Sequence, residues 1–266
     1  MNYNELHKIF ITEQDENFYA GKNSEFYNEL KNIQTKYNLD LKDIVTHPTP
    51  FMQRRNLPKI LALYDIFKMT MDMPGSIAEF GVFKGGSLFT WFHLLETFLP
   101  GERMKKIYAF DHFKGYSKFT ENDTDDTWVR DKHGGNLLDD VDGNMIKDLV
   151  SLHNKDSYLP GVERIVMIDG DICETAKEFK KMNMGVRFSI INVDVNLYEP
   201  VKAILDNFYD LLLPGGVMMF SGYTAAPWDG EAKAIEEFFK NKKFSGLKKL
   251  NYSPYPRGYI IKGQYE

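Results

Sequence analysis

Apolar residues in this chain fall into short continuous runs separated by helix-spaced stripes. Ile77–Phe80 (IAEF) is a run that passes through glycines at 81, 85 and 86 into an apolar segment from Leu88 long enough for a helix, so the stretch reads strand, tight loop, buried helix. The same alternation recurs. Further strands are predicted at Lys106–Phe110, Arg164–Ile168, Phe188–Val193 and Val217–Phe220. Between them lie helical stripes carrying Leu149 and Leu152, then a short helix from Glu174, then Ala203, Ile204, Phe208 and Leu211, then Ile235, Phe238 and Phe239. Pro200 is predicted at the first position of its helix, where a missing N–H does no harm, and Pro214-Gly215-Gly216 is predicted to break that helix. Asp229 is the predicted N-cap of the last one. Two closing strands, Leu247–Tyr252 and Tyr259–Lys262, are close enough to form an antiparallel pair. The pattern predicts a mostly parallel sheet wrapped by helices, with one antiparallel edge.

Ahead of the first strand, Leu57, Ile60, Leu61, Leu63, Tyr64 and Ile66 mark an amphipathic helix with Arg54 and Arg55 at its start. Residues 1–50 are rich in Lys, Glu, Asn and Tyr and lack the apolar density of a core element. They read as a helical N-terminal appendage to a domain over 51–266. With 266 residues, 43% of them hydrophobic, the chain can bury a full core. Its net charge of −5 without clustered Lys or Arg argues against nucleic-acid and anionic-membrane partners. Cys173 is the sole cysteine, which excludes disulfides and suits a reducing cytoplasm. No signal peptide or apolar run near 18 residues is present, so a cytoplasmic location is expected.

The glycine loop has the form E-x-G-x-x-x-G-G-S, with Glu79 ahead of Gly81 and Phe83 where a dinucleotide fingerprint needs its second glycine. A carboxylate beside such a loop suits a ligand with a positive group, not a pyrophosphate. Asp111 closes the second strand, where a ribose diol binds in nucleotide-type folds. Glu79, Asp111, Asp171 and Asp194 are all predicted at the carboxyl ends of strands, where ligands bind in such sheets. The polar stretch Ser117–Asp142 holds Trp128 and His133, reads as a lid, and makes His133 a candidate catalytic group. Arg54 and Arg55 are candidates to hold a phosphate or carboxylate of the substrate. Trp128, Tyr198 and Trp228 are aromatic candidates to stack against a substrate.

On IAEFGVFKGGS (Ile77–Ser87), YAFDHFKG (Tyr108–Gly115), DVNLYEPVKAILDNFYDLLLPGG (Asp194–Gly216) and YTAAPWDGEAKAIEEFF after it, the chain resembles the class I S-adenosylmethionine-dependent methyltransferases. More narrowly, it resembles the macrocin-type sugar O-methyltransferases. The resemblance covers roughly Pro74–Phe239. It implies an α/β Rossmann-like fold whose seven-stranded sheet, with helices on both faces, ends in the antiparallel hairpin. It also implies that Glu79, Gly81, Phe83, Gly85 and Ser87 hold the methionine portion of S-adenosylmethionine, Asp111 the ribose hydroxyls and Asp171 the adenine edge, with Asp194 as the base that deprotonates a sugar or nucleotide-sugar hydroxyl. Oligomerisation with copies of itself stays open.

The family gathers Mg²⁺ with Asp-x-Asp after the fourth strand and Asp-Asp-Tyr after the fifth. Here those stretches are Asp194-Val195-Asn196 and Ser221-Gly222-Tyr223. Asp194 alone keeps its charge, so a weak metal site is the most these residues offer. Methyl transfer without metal is the reading carried forward. A catalytically silent cofactor binder, a methyltransferase of a small-molecule amine or catechol, and a nicotinamide-dependent oxidoreductase are the alternatives.

Overall fold

Period-two alternation along each strand sends successive side chains to opposite faces, and both faces of this sheet are apolar. The protein is described by a computed structural model covering residues 13–116, 119–124, 141–224, 228–242 and 246–263. It divides into two compact units, Met1–Leu57 and Pro58–Glu266. The first contains helices α1 (Glu13–Tyr37) and α2 (Leu41–Thr46). A reciprocal capping box starts α2: the Asp43 N–H donates to Asp40 at 2.9 Å and the Asp40 N–H to Asp43 at 3.0 Å. Helix α3 (Asn56–Thr70) leads into the second unit.

There the elements follow as β1 (Ser76–Phe80), α4 (Gly86–Phe98), β2 (Ile107–Asp111), α5 (Gly143–Lys155), β3 (Ile165–Asp169), α6 (Ile172–Met182), β4 (Phe188–Val193), α7 (Tyr198–Phe208), β5 (Leu212–Phe220), α8 (Asp229–Phe239) and β6 (Gly258–Ile261). The strand order is β3-β2-β1-β4-β5-β6, parallel except for β6, which runs antiparallel to β5. Chain order therefore reverses between β1 and β4, opening a crevice at their carboxyl ends. One face buries Phe80, Phe110, Phe188 and Phe220 against Phe179 of α6, Phe208 of α7 and Phe239 of α8. The other buries Ile77, Ile107, Ile190 and Val217 against Phe67 of α3, Trp91 of α4 and Ile146 of α5. None of the described helices is long and apolar enough to cross a membrane.

Five expectations are corrected. The sheet has six strands among the described residues, not seven. Over the expected strand Leu247–Tyr252 there is one antiparallel bridge, Lys248 with Tyr259, because the Ser253 N–H turns back onto the Leu250 carbonyl at 3.2 Å. Pro214-Gly215-Gly216 lies inside β5, the helix having already ended at Phe208 and passed through a short 3₁₀ turn, Tyr209–Leu211. Pro200 is the third residue of α7, still within the turn whose N–H groups lack intrahelical acceptors. Trp228, not Asp229, occupies the N-cap of α8, and Asp229 lies in its first turn, where it faces the positive end of the helix.

Gly81 holds the crevice shut at its base. Its φ is +84°, and a Cβ there would overlap the Asp194 carbonyl oxygen, while the Asp194 N–H donates to the Phe80 carbonyl at 2.9 Å. Gly81→Ala is expected to cost about 1–3 kcal/mol of stability from the left-handed backbone alone, and more from the overlap, read as a fall in the denaturant midpoint at unchanged slope.

Candidate active site

A cavity of about 300 Å³ opens over the carboxyl ends of β1, β2 and β4. Asp111, Asp171 and Asp194 line it with Gly81, Phe83, Tyr116, Ile172, Val195, Asn196 and Pro200, and its lining includes no lysine or arginine. Among the described residues, this is a wall that receives a positive charge and an apolar ring together.

Asp111 shapes that wall. Its Oδ2 accepts the N–H groups of Val82 at 2.7 Å and Phe83 at 3.1 Å, and its Oδ1 accepts that of Phe113 at 2.8 Å. These bonds tie the loop after β1 to the end of β2, and they hold Phe83 and Phe113 at φ of 51° and 55°, where bulky residues rarely sit. An ionised carboxylate has about four acceptor positions, so one remains for a ligand. Asp171 caps α6 by accepting the Cys173 N–H at 2.8 Å, and its side chain is exposed at the cavity edge.

Glu79 does not reach the cavity. It is fully buried, taking hydrogen bonds from the Ser87 hydroxyl, from Trp91 Nε1 at 2.9 Å and from Asn192 Nδ2 at 2.8 Å. Ser87 is spent on this bond, and Gly85 packs its Cα against the Phe89 ring at φ +80°. The expected contacts of Glu79 and Ser87 with the methionine portion are thus replaced by support of the loop from behind. Tyr198 is also buried, its hydroxyl donating to Glu237 at 2.7 Å, which keeps its ring in the α7–α8 packing and away from a sugar face. Arg54 and Arg55 are exposed and belong to the first unit. Trp128, His133 and most of the expected lid Ser117–Asp142 lie outside the described residues.

Lys59, Tyr255 and Tyr116, also at the site, give no signal in the sequence. Lys59 Nζ of α3 lies 3.9 Å from Asp194 Oδ2 and 4.0 Å above the centre of the Tyr255 ring. The Tyr255 hydroxyl donates to Asn192 Oδ1 at 2.8 Å. Tyr116 accepts from Asn196 Nδ2 at 2.8 Å, Asn196 Oδ1 accepts from the Ser221 hydroxyl at 3.0 Å, and the Tyr116 ring lies 5.2 Å from that of Trp228. Glu231 was missed, although a signal was present: it shares a helical stripe with Ala234 and Ile235, so an acid falls on the apolar face of α8. It is fully buried, its Oε1 accepting the N–H groups of Gly222 at 2.7 Å and Tyr223 at 2.9 Å. A Cβ on Gly222 would come within 2.9 Å of Asn196 Oδ1 and 3.0 Å of Glu231 Oε2, so that position has no room for a side chain.

The donor set at the expected metal position does not fit Mg²⁺. Asp194 faces an ammonium, the Asn196 amide oxygen already accepts a hydroxyl, and Glu231 is enclosed with one oxygen held by two backbone donors. Among the described residues no three His, Cys, Asp or Glu side chains gather as a metal site, whereas magnesium demands near-octahedral oxygen ligands.

Burial raises both enclosed acids. Glu79 is pushed up to about 7, its three donors pulling it back and the Asp194 charge adding to the rise. Glu231 is pushed up to about 8 by burial and by Asp194, against the pull of its backbone donors. The unfolded chain releases these protons near 4.5, the ordinary value, so the folded state binds more protons above that pH. Stability is therefore expected to fall as pH rises from about 5 to about 8.5, by up to about 1.4 kcal/mol per pH unit for each group. Glu231→Gln, which cannot ionise, should flatten that slope in urea titrations across the range; an equal slope in the variant would show that Glu231 is not the titrating group.

Comparison with known proteins places this geometry. The model of the family described as macrocin-O-methyltransferase (TylF) matches residues 52–250. A search of curated proteins returns no match. Among solved structures, the calicheamicin methyltransferase CalS11 superposes with a TM-score of 0.80 at 24% identity, covering 91% of this chain and 93% of that one. An apo structure of CalS11, described as a TDP-rhamnose 3'-O-methyltransferase, gives 0.75 at 24% identity over 91% and 95%. The O-methyltransferase NovP gives 0.61 at 17% identity over 78% and 81%. These likenesses are of fold, and the family match spans well over half of the sequence. The chain belongs to the macrocin-O-methyltransferase family of S-adenosylmethionine-dependent methyltransferases.

Proposed function

We propose that this enzyme methylates a hydroxyl of a sugar or nucleotide sugar, without a metal ion, using Asp194 as the base. The observation that carries the reading is the cavity whose wall offers Asp111, Asp171 and Asp194 and whose lining holds His112 but no lysine or arginine. A sulfonium and an ammonium are drawn to such a wall. The family match and the printed activity of CalS11 support a sugar acceptor, as does the Tyr116–Trp228 aromatic pair beside Asn196.

Bound S-adenosylmethionine supplies a methyl carbon made electrophilic by its sulfonium. The chain has to hold an acceptor oxygen in line with that carbon and take its proton. Asp111 uses its remaining acceptor position for the ribose diol, and Asp171 faces the adenine edge, with Ile172 and Phe83 as apolar walls. Asp194 sits where the β1 and β4 ends meet, held by its backbone bond to Phe80, and accepts the hydroxyl proton. Neutral Asn196 and Ser221 leave Asp194 as the ionisable group of that strand-end cluster on the cavity wall.

Calorimetry is expected to show binding of S-adenosylmethionine, weakened by about 1.5–3 kcal/mol in Asp111→Ala. Turnover on a panel of nucleotide sugars should survive a chelator, and Asp194→Asn should lower it about 10²–10⁴-fold. Absence of cofactor affinity in the wild type would overturn the reading, magnesium-dependent turnover would overturn its metal-free part, and binding without turnover on any hydroxyl acceptor would leave a silent binder.

A further inference from the structure

We propose that the Lys59 ammonium is the resident positive charge of the methyl-transfer centre, positioning Asp194 and stabilising the acceptor oxygen as it loses its proton. This rests on the methyl-transfer reading above. Three carboxyl groups, Glu79, Asp194 and Glu231, converge near the ends of β1, β4 and β5, close enough for Asp194 to act on the ionisation of both others. Among the ion pairs of the described residues, Lys59 is the cation that touches this group.

An ordinary surface ion pair at 3.9 Å contributes little, and the side chains of Lys59 and Asp194 are 36% and 26% exposed. Lys59 differs from such a pair in how it is held. Its Nζ rests on the Tyr255 ring at 4.0 Å, Tyr255 is pinned through its hydroxyl to Asn192, and Asn192 is pinned to the buried Glu79. A chain of fixed contacts thus runs from the centre of the sheet to the ammonium, and cation–π contact sets its position without neutralising it.

The step balances as follows. The acceptor oxygen bonds to the methyl carbon, the methyl–sulfur bond breaks with its electron pair going to sulfur to leave a neutral thioether, and the hydroxyl proton passes to Asp194. As Asp194 becomes neutral, Lys59 loses its anion, and the nearest developing negative charge is the acceptor oxygen. A charge held 3.9 Å from the carboxylate that takes the proton acts on the transition state more than on the ground state. The same ammonium repels the sulfonium, and that repulsion vanishes as the thioether forms.

The test compares Lys59→Met, Lys59→Arg and Lys59→Ala with the wild type. Lys59→Met should bind S-adenosylhomocysteine, which carries no sulfonium, within about twofold of wild type, while kcat on the best nucleotide sugar falls about 10²-fold, the scale of losing one preorganised group. Lys59→Arg should recover most of kcat, and ethylammonium added to Lys59→Ala should restore part of it, which a merely structural lysine would not allow. Sinefungin, with a protonated amine in place of the methylsulfonium, supplies a readout that needs no turnover: Lys59→Met should tighten it several-fold relative to S-adenosylhomocysteine. If wild type and Lys59→Met share the same kcat, or, where no turnover is found, the same ratio of sinefungin to S-adenosylhomocysteine affinity, the role of Lys59 is overturned alone. No affinity of the wild type for S-adenosylhomocysteine would instead overturn the methyl-transfer reading and Lys59 with it.

Discussion

A carboxyl group buried on the apolar face of the central strand is the constraint from which the site follows. Glu79 lies on the same face of β1 as Ile77, packed under α4, where an acid without partners would be untenable. It is tolerated because Ser87 and Trp91 reach it from α4 and Asn192 from β4. Those partners fix where α4 begins relative to β1, and so fix the path of the glycine loop between them. Asp111 then fixes the loop from its flank through the Val82 and Phe83 N–H groups. One wall of the cavity is thus set by two acids, only one of which, Asp111, lines it.

Charge at the neighbouring strand ends is arranged by the same logic. The Asp194 charge raises the cost of ionising Glu79 and Glu231 in a poorly solvated region, and burial leaves these two enclosed acids with pKa values near or above neutrality. Asn196, Ser221 and Gly222 belong together in this arrangement. Gly222 leaves the space that Asn196 Oδ1 and Glu231 Oε2 occupy, while Ser221 donates to Asn196 and Asn196 to Tyr116. A chain of neutral hydrogen bonds runs where further carboxylates would repel Asp194.

The strands were readable because continuous apolar runs bounded by glycine and polar residues leave few alternatives in a sheet covered on both faces; Phe188–Val193 appears with the same limits in sequence and structure. Local rules failed where tertiary contacts overrode them. Pro214-Gly215-Gly216 has the composition of a breaker, yet Gly215 donates its N–H to Lys262 at 2.8 Å and the segment enters the sheet. Asp111, Asp171 and Asp194 were legible as strand-end acids, since the fold class alone predicts ligands there. Glu79 was misread for the same reason: its position next to a glycine loop is visible, but the return of Trp91 and Asn192 onto it depends on packing. Lys59 and Tyr255 lie nearly two hundred residues apart, and no local pattern joins them.

Asp123 anchors the helices that follow β4 and β5. It is buried, accepts the Thr120 N–H at 2.8 Å through Oδ2, and accepts the Tyr198 N–H at 2.8 Å through Oδ1. That second bond caps α7, whose own N-cap residue, Leu197, has no side-chain acceptor. Gly230 in the first turn of α8 has no room for a Cβ against the same carboxylate. The chain leaving β2 is therefore held to the starts of both α7 and α8, the helices that follow the strand ends bearing Asp194 and Ser221. Glu79 and Asp111 fix the loop after β1, Asp123 fixes the starts of α7 and α8, and Asp194 lies on a backbone whose closeness to Gly81 admits no side chain there. Position in the fold has distributed the acids: Glu79, Asp111 and Asp123 spend their oxygens on donors that hold the scaffold, whereas Asp194 lines the cavity beside the Lys59 ammonium and the Tyr255 hydroxyl.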